Sequence, residues 1–234
     1  ARNTLRTFVF MAGLTGLLFY PFTRLSGRTT RDFSSAAIRP PGAVEELEFL
    51  ARCVKCDQCL RVCPTNVIQP VWSEVGLEGL WSPVLNFRIG YCQPHCTACG
   101  HVCPTGAIER ISIAEKLGLG EFAAQGPVRL GTAHIDVGRC LPYSAGIACQ
   151  VCEEVCPTSP KAIRAERRRF EGSRASERDD APPVPTVDLN LCIGCGLCER
   201  QCPVVGDRRA IYVTAEGETR ALPDEQGIAF DLDV

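Results

Sequence analysis

The chain has no GxGxxG after a strand-like run, no P-loop and no GxSxG, so nothing in it cradles a nucleotide or presents a nucleophilic serine. Neither sign of charge dominates: 25 Lys and Arg face 27 Asp and Glu, a net −2 over 234 residues. Without a global field there is no footprint for nucleic acid, and proteins or a membrane are the expected partners. Long apolar runs are also missing. The one that stands out, Phe8 to Tyr20 (FVFMAGLTGLLFY), falls short of the roughly 20 residues of a comfortable bilayer span. Arg2 and Arg6 precede it and Pro21, Arg24, Arg28 and Arg31 follow, so the positive-inside rule gives no orientation. We read residues 1–25 as a retained hydrophobic anchor helix, with burial against a partner as the alternative. Leu5-Arg6-Thr7-Phe8-Val9 has the shape of the end of a twin-arginine signal, except that Leu5 stands where the first arginine would be.

What the chain has is sixteen cysteines. That many point to a disulfide scaffold, structural zinc or iron–sulfur clusters, and spacing separates the three. Cys53-x2-Cys56-x2-Cys59-x3-Cys63-Pro64 and Cys192-x2-Cys195-x2-Cys198-x3-Cys202-Pro203 follow the bacterial ferredoxin run. Cys92-x3-Cys96-x2-Cys99-x3-Cys103-Pro104 adds a residue to the first gap, and Cys140-x8-Cys149-x2-Cys152-x3-Cys156-Pro157 opens it to eight. Three thiolates on a tight loop reach three corners of one cubane, while the fourth, turned away by Cys-Pro, serves a neighbouring cluster. Cysteines two or three residues apart are poorly placed to bridge each other, and zinc would gather two such pairs on one ion. The motifs therefore predict four [4Fe–4S] clusters with no cysteine left over.

Because the fourth cysteine crosses over, motifs pair, either sequentially or nested. The compact motifs lie at the ends and the expanded ones in the middle, which favours nesting. The nested sets are Cys53, Cys56, Cys59 with Cys202; Cys192, Cys195, Cys198 with Cys63; Cys92, Cys96, Cys99 with Cys156; and Cys140, Cys149, Cys152 with Cys103.

Each motif is followed by a β-prone patch: Asn66 to Ile68, Gly106 to Ile108, Lys161 to Ile163 and Arg209 to Val213. This internal repeat predicts an α+β fold of two ferredoxin-like two-cluster units. Residues 26–52 read as a linker ending in a lead-in helix over Ala43 to Arg52. Residues 53–213 form the four-cluster domain, with cluster motifs at 53–70, 92–113, 140–163 and 192–213. Glu171 to Thr186 reads as a charged, Pro-rich surface loop and 214–234 as an acidic tail without a motif.

Arg39-Pro40-Pro41-Gly42-Ala43, Glu45, Phe49, the first cysteine run, the C-x8-C-x2-C-x3-C-P spacing in third place and Cys192-Ile-Gly-Cys-Gly-x-Cys in fourth resemble the NapG/MauM-type ferredoxins. The resemblance spans about Arg39 to Val213. It implies a membrane-associated polyferredoxin, exported in folded form to the periplasmic face of a bacterial inner membrane. There it would pass electrons between a quinol-oxidising membrane partner and a redox enzyme, within a multi-subunit respiratory assembly. It also implies no catalysis of its own and favours nested pairing. A maturation factor for a metalloenzyme is the alternative of a different class.

The remaining candidates receive bland roles. His95, His101 and His134 read as structural, Arg164 to Arg169 as a solvated helical face, and Trp72 and Trp81 as core or interface packing.

Overall fold

The computed structural model describes residues 37–220 apart from 73, 74, 77, 168–181 and 207. The predicted anchor helix over 1–25 lies outside the described residues, as do most of the loop expected from Glu171 and the tail beyond residue 220. Among the described residues no helix is long and apolar enough to cross a membrane.

The chain enters through a segment that the sequence suggested was linker but that is buried. Arg39 is only 1% exposed. Its Nε donates to Glu46 at 3.0 Å, its Nη1 reaches Ser82 Oγ and the Pro83 carbonyl at 2.8 Å each, and its guanidinium lies 4.6 Å from the Phe49 ring centre. A buried guanidinium is tolerated when each face of its donor fork is satisfied, and here an ion pair, a hydroxyl and a carbonyl do so. Helix α1 (Glu46–Arg52) follows, its first N–H groups capped by the Glu45 carboxylate at 3.0 and 3.4 Å. It starts three residues later than predicted, because Val44 N–H bonds the Ala107 carbonyl and Ala43 bridges Ile108.

The chain then builds α2 (Gln58–Val62), β1 (Ile68–Pro70), β2 (Pro83–Leu85), α3 (Ala98–Val102) and α4 (Ile113–Leu117). The second half has β3 (Thr132–Ile135), α5 (Leu141–Ser144), α6 (Val151–Glu154), β4 (Ile163–Glu166), β5 (Val184–Val187), α7 (Leu197–Gln201) and β6 (Ile211–Thr214). Each strand pair is antiparallel: β1 with β2, β3 with β6 and β4 with β5.

These pairings show why a β-prone patch follows every motif. Ile68, Ile163 and Ile211 each open a strand, and Ile108 makes the single bridge to Ala43. In each half, the patch after the first motif pairs with the segment entering the second, and the patch after the second pairs with the segment entering the first. The Ala-Ile or Val-Ile dipeptides of the four patches are all buried, and their side chains pack among the cysteines in two cores, one per half. So short a fold lacks enough aliphatic surface of its own, which leaves room for metal sites to contribute folding energy.

Several expectations need correction. The basic run from Arg164 is not a helical face: Ile163–Glu166 is β4, held in register by β5, and Val184 to Thr186, expected in a loop, form most of that partner. The tail from residue 214 does not leave the fold at once. Glu218 is buried against Arg220, whose Nη1 reaches the Val44 carbonyl at 3.3 Å and Glu46 at 3.2 Å. Trp72 and Trp81 do not pack in a core. They meet at a centroid distance of 4.8 Å while remaining 61% and 45% exposed.

Candidate metal centres

In each motif the third cysteine sits on a short helix, Cys59 on α2, Cys99 on α3, Cys152 on α6 and Cys198 on α7. The first two cysteines lie on the loop before it, except that in the third motif α5 stands between Cys140 and Cys149. That loop turns through the left-handed region at Lys55 and Asp57 in the first motif, and the fourth uses Gly194 and Gly196 at the same places. Proline then ends the helix, and the fourth cysteine faces away across the packed helix pairs α2 with α3 and α6 with α7.

The cysteines line four cavities. Cys53, Cys56, Cys59 and Cys103 border the first. Cys92, Cys96, Cys99 and Cys63 border the second. Cys192, Cys195, Cys198 and Cys156 share the third. Cys140, Cys149, Cys152 and Cys202 share the fourth.

Three cysteines of one motif thus meet the Cys-Pro cysteine of the other motif in the same half, which is sequential pairing. The nested sets are not brought together: Cys202 stands with Cys140 and not with Cys53, Cys63 with Cys92 and not with Cys192, Cys156 with Cys192 and not with Cys92, and Cys103 with Cys53 and not with Cys140. The strands dictate this. The β1–β2 hairpin returns the chain from Cys63 directly to Cys92, and β4–β5 returns it from Cys156 to Cys192, so each crossover closes over a short contour. Gap length carried no pairing information because the insertion in the third motif folds on itself. It forms α5, whose Tyr143 hydroxyl donates to the Pro185 carbonyl at 2.9 Å.

The donor set fits iron–sulfur clusters better than the rivals. All sixteen cysteines are free, so the cavities are not disulfide sites. Among the described residues no three His, Cys, Asp or Glu converge on a point that would hold one ion, whereas zinc would draw its sulfurs to within about 2.3 Å of a common centre. The four cysteines of each cavity instead border a shared, mainly aliphatic space. None of the three histidines lines any of these four cavities. His134 Nε2 lies 3.0 Å from Glu216 beside the Tyr212 ring.

Burial dominates the thiols. It pushes Cys59, Cys99, Cys152 and Cys195 up to about 12 and Cys140 to about 11, helped by neighbouring cysteines. Thiols held protonated in this way ligate only when a positive centre replaces the protons. Cys63, Cys103 and Cys156 behave differently. Burial would raise them too, but a threonine hydroxyl and backbone N–H groups outweigh it and hold them below the ordinary thiol value. The hydroxyls are those of Thr65, Thr105 and Thr158, at 3.5, 3.8 and 3.3 Å from the sulfurs. Backbone N–H groups also donate directly to sulfur at 3.4 Å, Ile108 to Cys103 and Ala133 to Cys192.

Sequence reasoning missed these donors. A signal was available for the threonines, since Cys-Pro-Thr recurs in three motifs and becomes Cys202-Pro203-Val204 in the fourth. It also missed Lys116 on α4, which is 5% exposed with its Nζ 3.3 Å from Cys92 Sγ. Nothing in a lone lysine thirteen residues beyond Cys103 marks it.

The halves meet through the second and fourth motifs. Cys92 N–H donates to the Cys195 carbonyl at 2.8 Å, Leu130 N–H to Ile193 at 3.0 Å, and Arg88 Nη2 to the Gly206 carbonyl at 2.9 Å. The cavities of Cys92 and Cys192 are therefore inner, and those of Cys53 and Cys140 outer.

Known families match this arrangement. A 4Fe-4S dicluster domain matches residues 52–107, a 4Fe-4S double cluster binding domain 92–159 and a 4Fe-4S binding domain 184–210. The methylamine utilization ferredoxin-type protein MauM of Methylorubrum extorquens is 33% identical over 231 residues, 97% of this chain and 90% of that protein. MauM of Paracoccus denitrificans is 32% identical over 86% of this chain and 78% of its own length. The ferredoxin-type protein NapG of Escherichia coli is 33% identical over 72% of this chain and 67% of its own.

Proposed function

Since this chain belongs to the family of ferredoxin-type proteins that includes MauM and NapG, we propose that it holds four [4Fe–4S] clusters and relays single electrons between a quinol-linked membrane partner and a redox enzyme. Four cavities, each lined by four cysteines, carry this reading. When bound, a cluster supplies one-electron redox chemistry without making or breaking substrate bonds. The chain's own work is to fix the order of the sites, exclude water and place donors on sulfur. The outer–inner–inner–outer order makes a continuous path between two ends, as a relay requires.

Burial argues for resident clusters and against a maturation factor, which would favour labile, exposed ones. Eight of the cysteines are buried and Cys56 alone is exposed. The apolar run Phe8 to Tyr20 supports attachment to a membrane, and the resemblance to periplasmic electron carriers supports export. The name of the MauM relatives makes methylamine utilization one system in which such a relay would serve.

Anaerobic purification of the full chain followed by iron and sulfide analysis tests the reading. About sixteen of each per chain are expected, four for each site. Redox titration should then show four one-electron centres. A chain with half that iron, or clusters stripped by mild chelation and never reduced by a quinol-level donor, would overturn it.

A further inference from the structure

Lys116 is the one side-chain cation, among the described residues, hydrogen-bonded to a cysteine sulfur. Its setting is built rather than incidental. Ser112 and Glu115 form a capping box at the start of α4, Gly118 ends the helix in the left-handed region, and Val128 N–H donates to the Lys116 carbonyl at 3.0 Å. The side chain is fully enclosed between this helix and the loop of the second motif. Nζ lies 3.3 Å from Cys92 Sγ, 2.8 Å from the Gln93 carbonyl and 2.6 Å from the Cys96 carbonyl. Among the described residues these three acceptors are its only partners, which matches the three N–H bonds of an ammonium, and no carboxylate is among them. Its positive charge is thus left for the cavity. Arg39 is no equivalent at the outer cavity, because Glu46 answers its charge.

We propose that Lys116 raises the reduction potential of the centre held by Cys63, Cys92, Cys96 and Cys99 above the other three, making this inner site the first to fill with an electron. The proposal rests on the four-cluster reading above. Reduction adds one negative charge to the site and changes no covalent bond, and the lysine keeps its three N–H bonds throughout. A buried cation in contact with a ligand sulfur therefore favours the reduced state over the oxidised one, at the short range and low dielectric where charge acts most strongly. The result is an electron reservoir beside the Cys92–Cys195 junction, where the two halves exchange charge.

The test is an anaerobic dithionite titration of the purified full chain, followed by EPR, in the native protein and in Lys116→Met, Lys116→Gln and Lys116→Arg, with iron counted in each. The native protein must carry about sixteen irons, or the four-cluster reading fails first and separately. The neutral variants should keep that iron and lose the highest midpoint, which falls by about tenfold in the reduction equilibrium, 59 mV for one electron. The arginine variant should stay near the native value. Fully loaded neutral variants with all four midpoints unchanged would overturn the proposal, as would an arginine variant that falls like methionine. Loss of iron in both neutral variants would overturn it too, since the lysine would then be a strut for the Gln93 to Cys96 loop.

Discussion

Cys92 and Cys195 are joined backbone to backbone, the N–H of one donating to the carbonyl of the other at 2.8 Å, so that the two ferredoxin-like halves touch at their inner cavities. The loop of the fourth motif must pass very close to the first half for this contact to form. Gly196 makes the approach possible.

Gly196 has a φ of 75°, and a Cβ there would overlap the Phe87 ring. Gly196→Ala should cost about 2 kcal/mol or more, combining left-handed strain with overpacking. Denaturant unfolding under anaerobic conditions measures it. The cost should shrink in a Phe87→Leu background, because the two positions share one contact. Equal costs in both backgrounds would mean that the ring is not what glycine accommodates.

Sequential pairing is open to a direct test by ligand removal. Cys103→Ala should damage the same centre as Cys56→Ala, and Cys202→Ala the same centre as Cys149→Ala. EPR of the reduced variants, with about four irons lost or a three-iron signal appearing in each, assigns every lesion to its centre. Matching signatures for Cys202→Ala and Cys56→Ala would restore the nested order.

The contrast between that order and the structure shows how far the sequence was legible. That the sixteen cysteines gather in fours, the four repeats and the buried patches after Cys-Pro could be read because most of their geometry is local, set by the short spacings of each motif. Pairing depends on which strands meet. Gap length misled there, since the eight-residue insertion after Cys140 is absorbed by α5 without altering the partner of any cysteine. Arg39 and Lys116 escaped for a related reason. A charged residue in a Pro-rich stretch or on a short helix looks solvated until its distant partners, Ser82 for the one and Cys92 for the other, are in place.

Val204 stands where the other three motifs have a threonine beside the crossover cysteine. Val204→Thr is close to isosteric and should place a hydroxyl near Cys202 Sγ, at a distance like the 3.3 to 3.8 Å seen at the other sites. One net hydrogen bond of about 0.6 kcal/mol to sulfur would shift the reduction equilibrium of the Cys140 centre upward by about threefold. Potentiometric titration should find one midpoint raised and three unmoved. A shift in any other centre would contradict the cavity assignment.

Arg39 and Glu46 hold the entering segment against α1, with Arg220 adding a second guanidinium from the far end of the described chain. Burial alone would raise the Glu46 carboxyl, but the two arginines outweigh it and keep it below its ordinary value. A lowered carboxyl gives stability that is whole above its unfolded pKa and is lost as pH falls through the folded one. Glu46→Gln should therefore keep its disadvantage relative to the native chain from neutral pH down to the ordinary carboxyl value of 4.5 and lose it only as the medium is acidified further. Glu46→Ala strands a buried guanidinium and should cost about 3–5 kcal/mol at neutral pH, whereas Arg39→Ala should cost less in lost pairing, because Arg220 still answers the carboxylate that is left. Unfolding monitored by cluster absorbance and by circular dichroism would separate this from direct loss of iron. The pair touches no cysteine, yet the charge of Arg39 reaches Cys53, so Glu46→Gln, which leaves that charge unanswered, should raise the midpoint of the Cys53 centre alone. A variant whose four midpoints all held would show the network acting on the fold and not on the clusters.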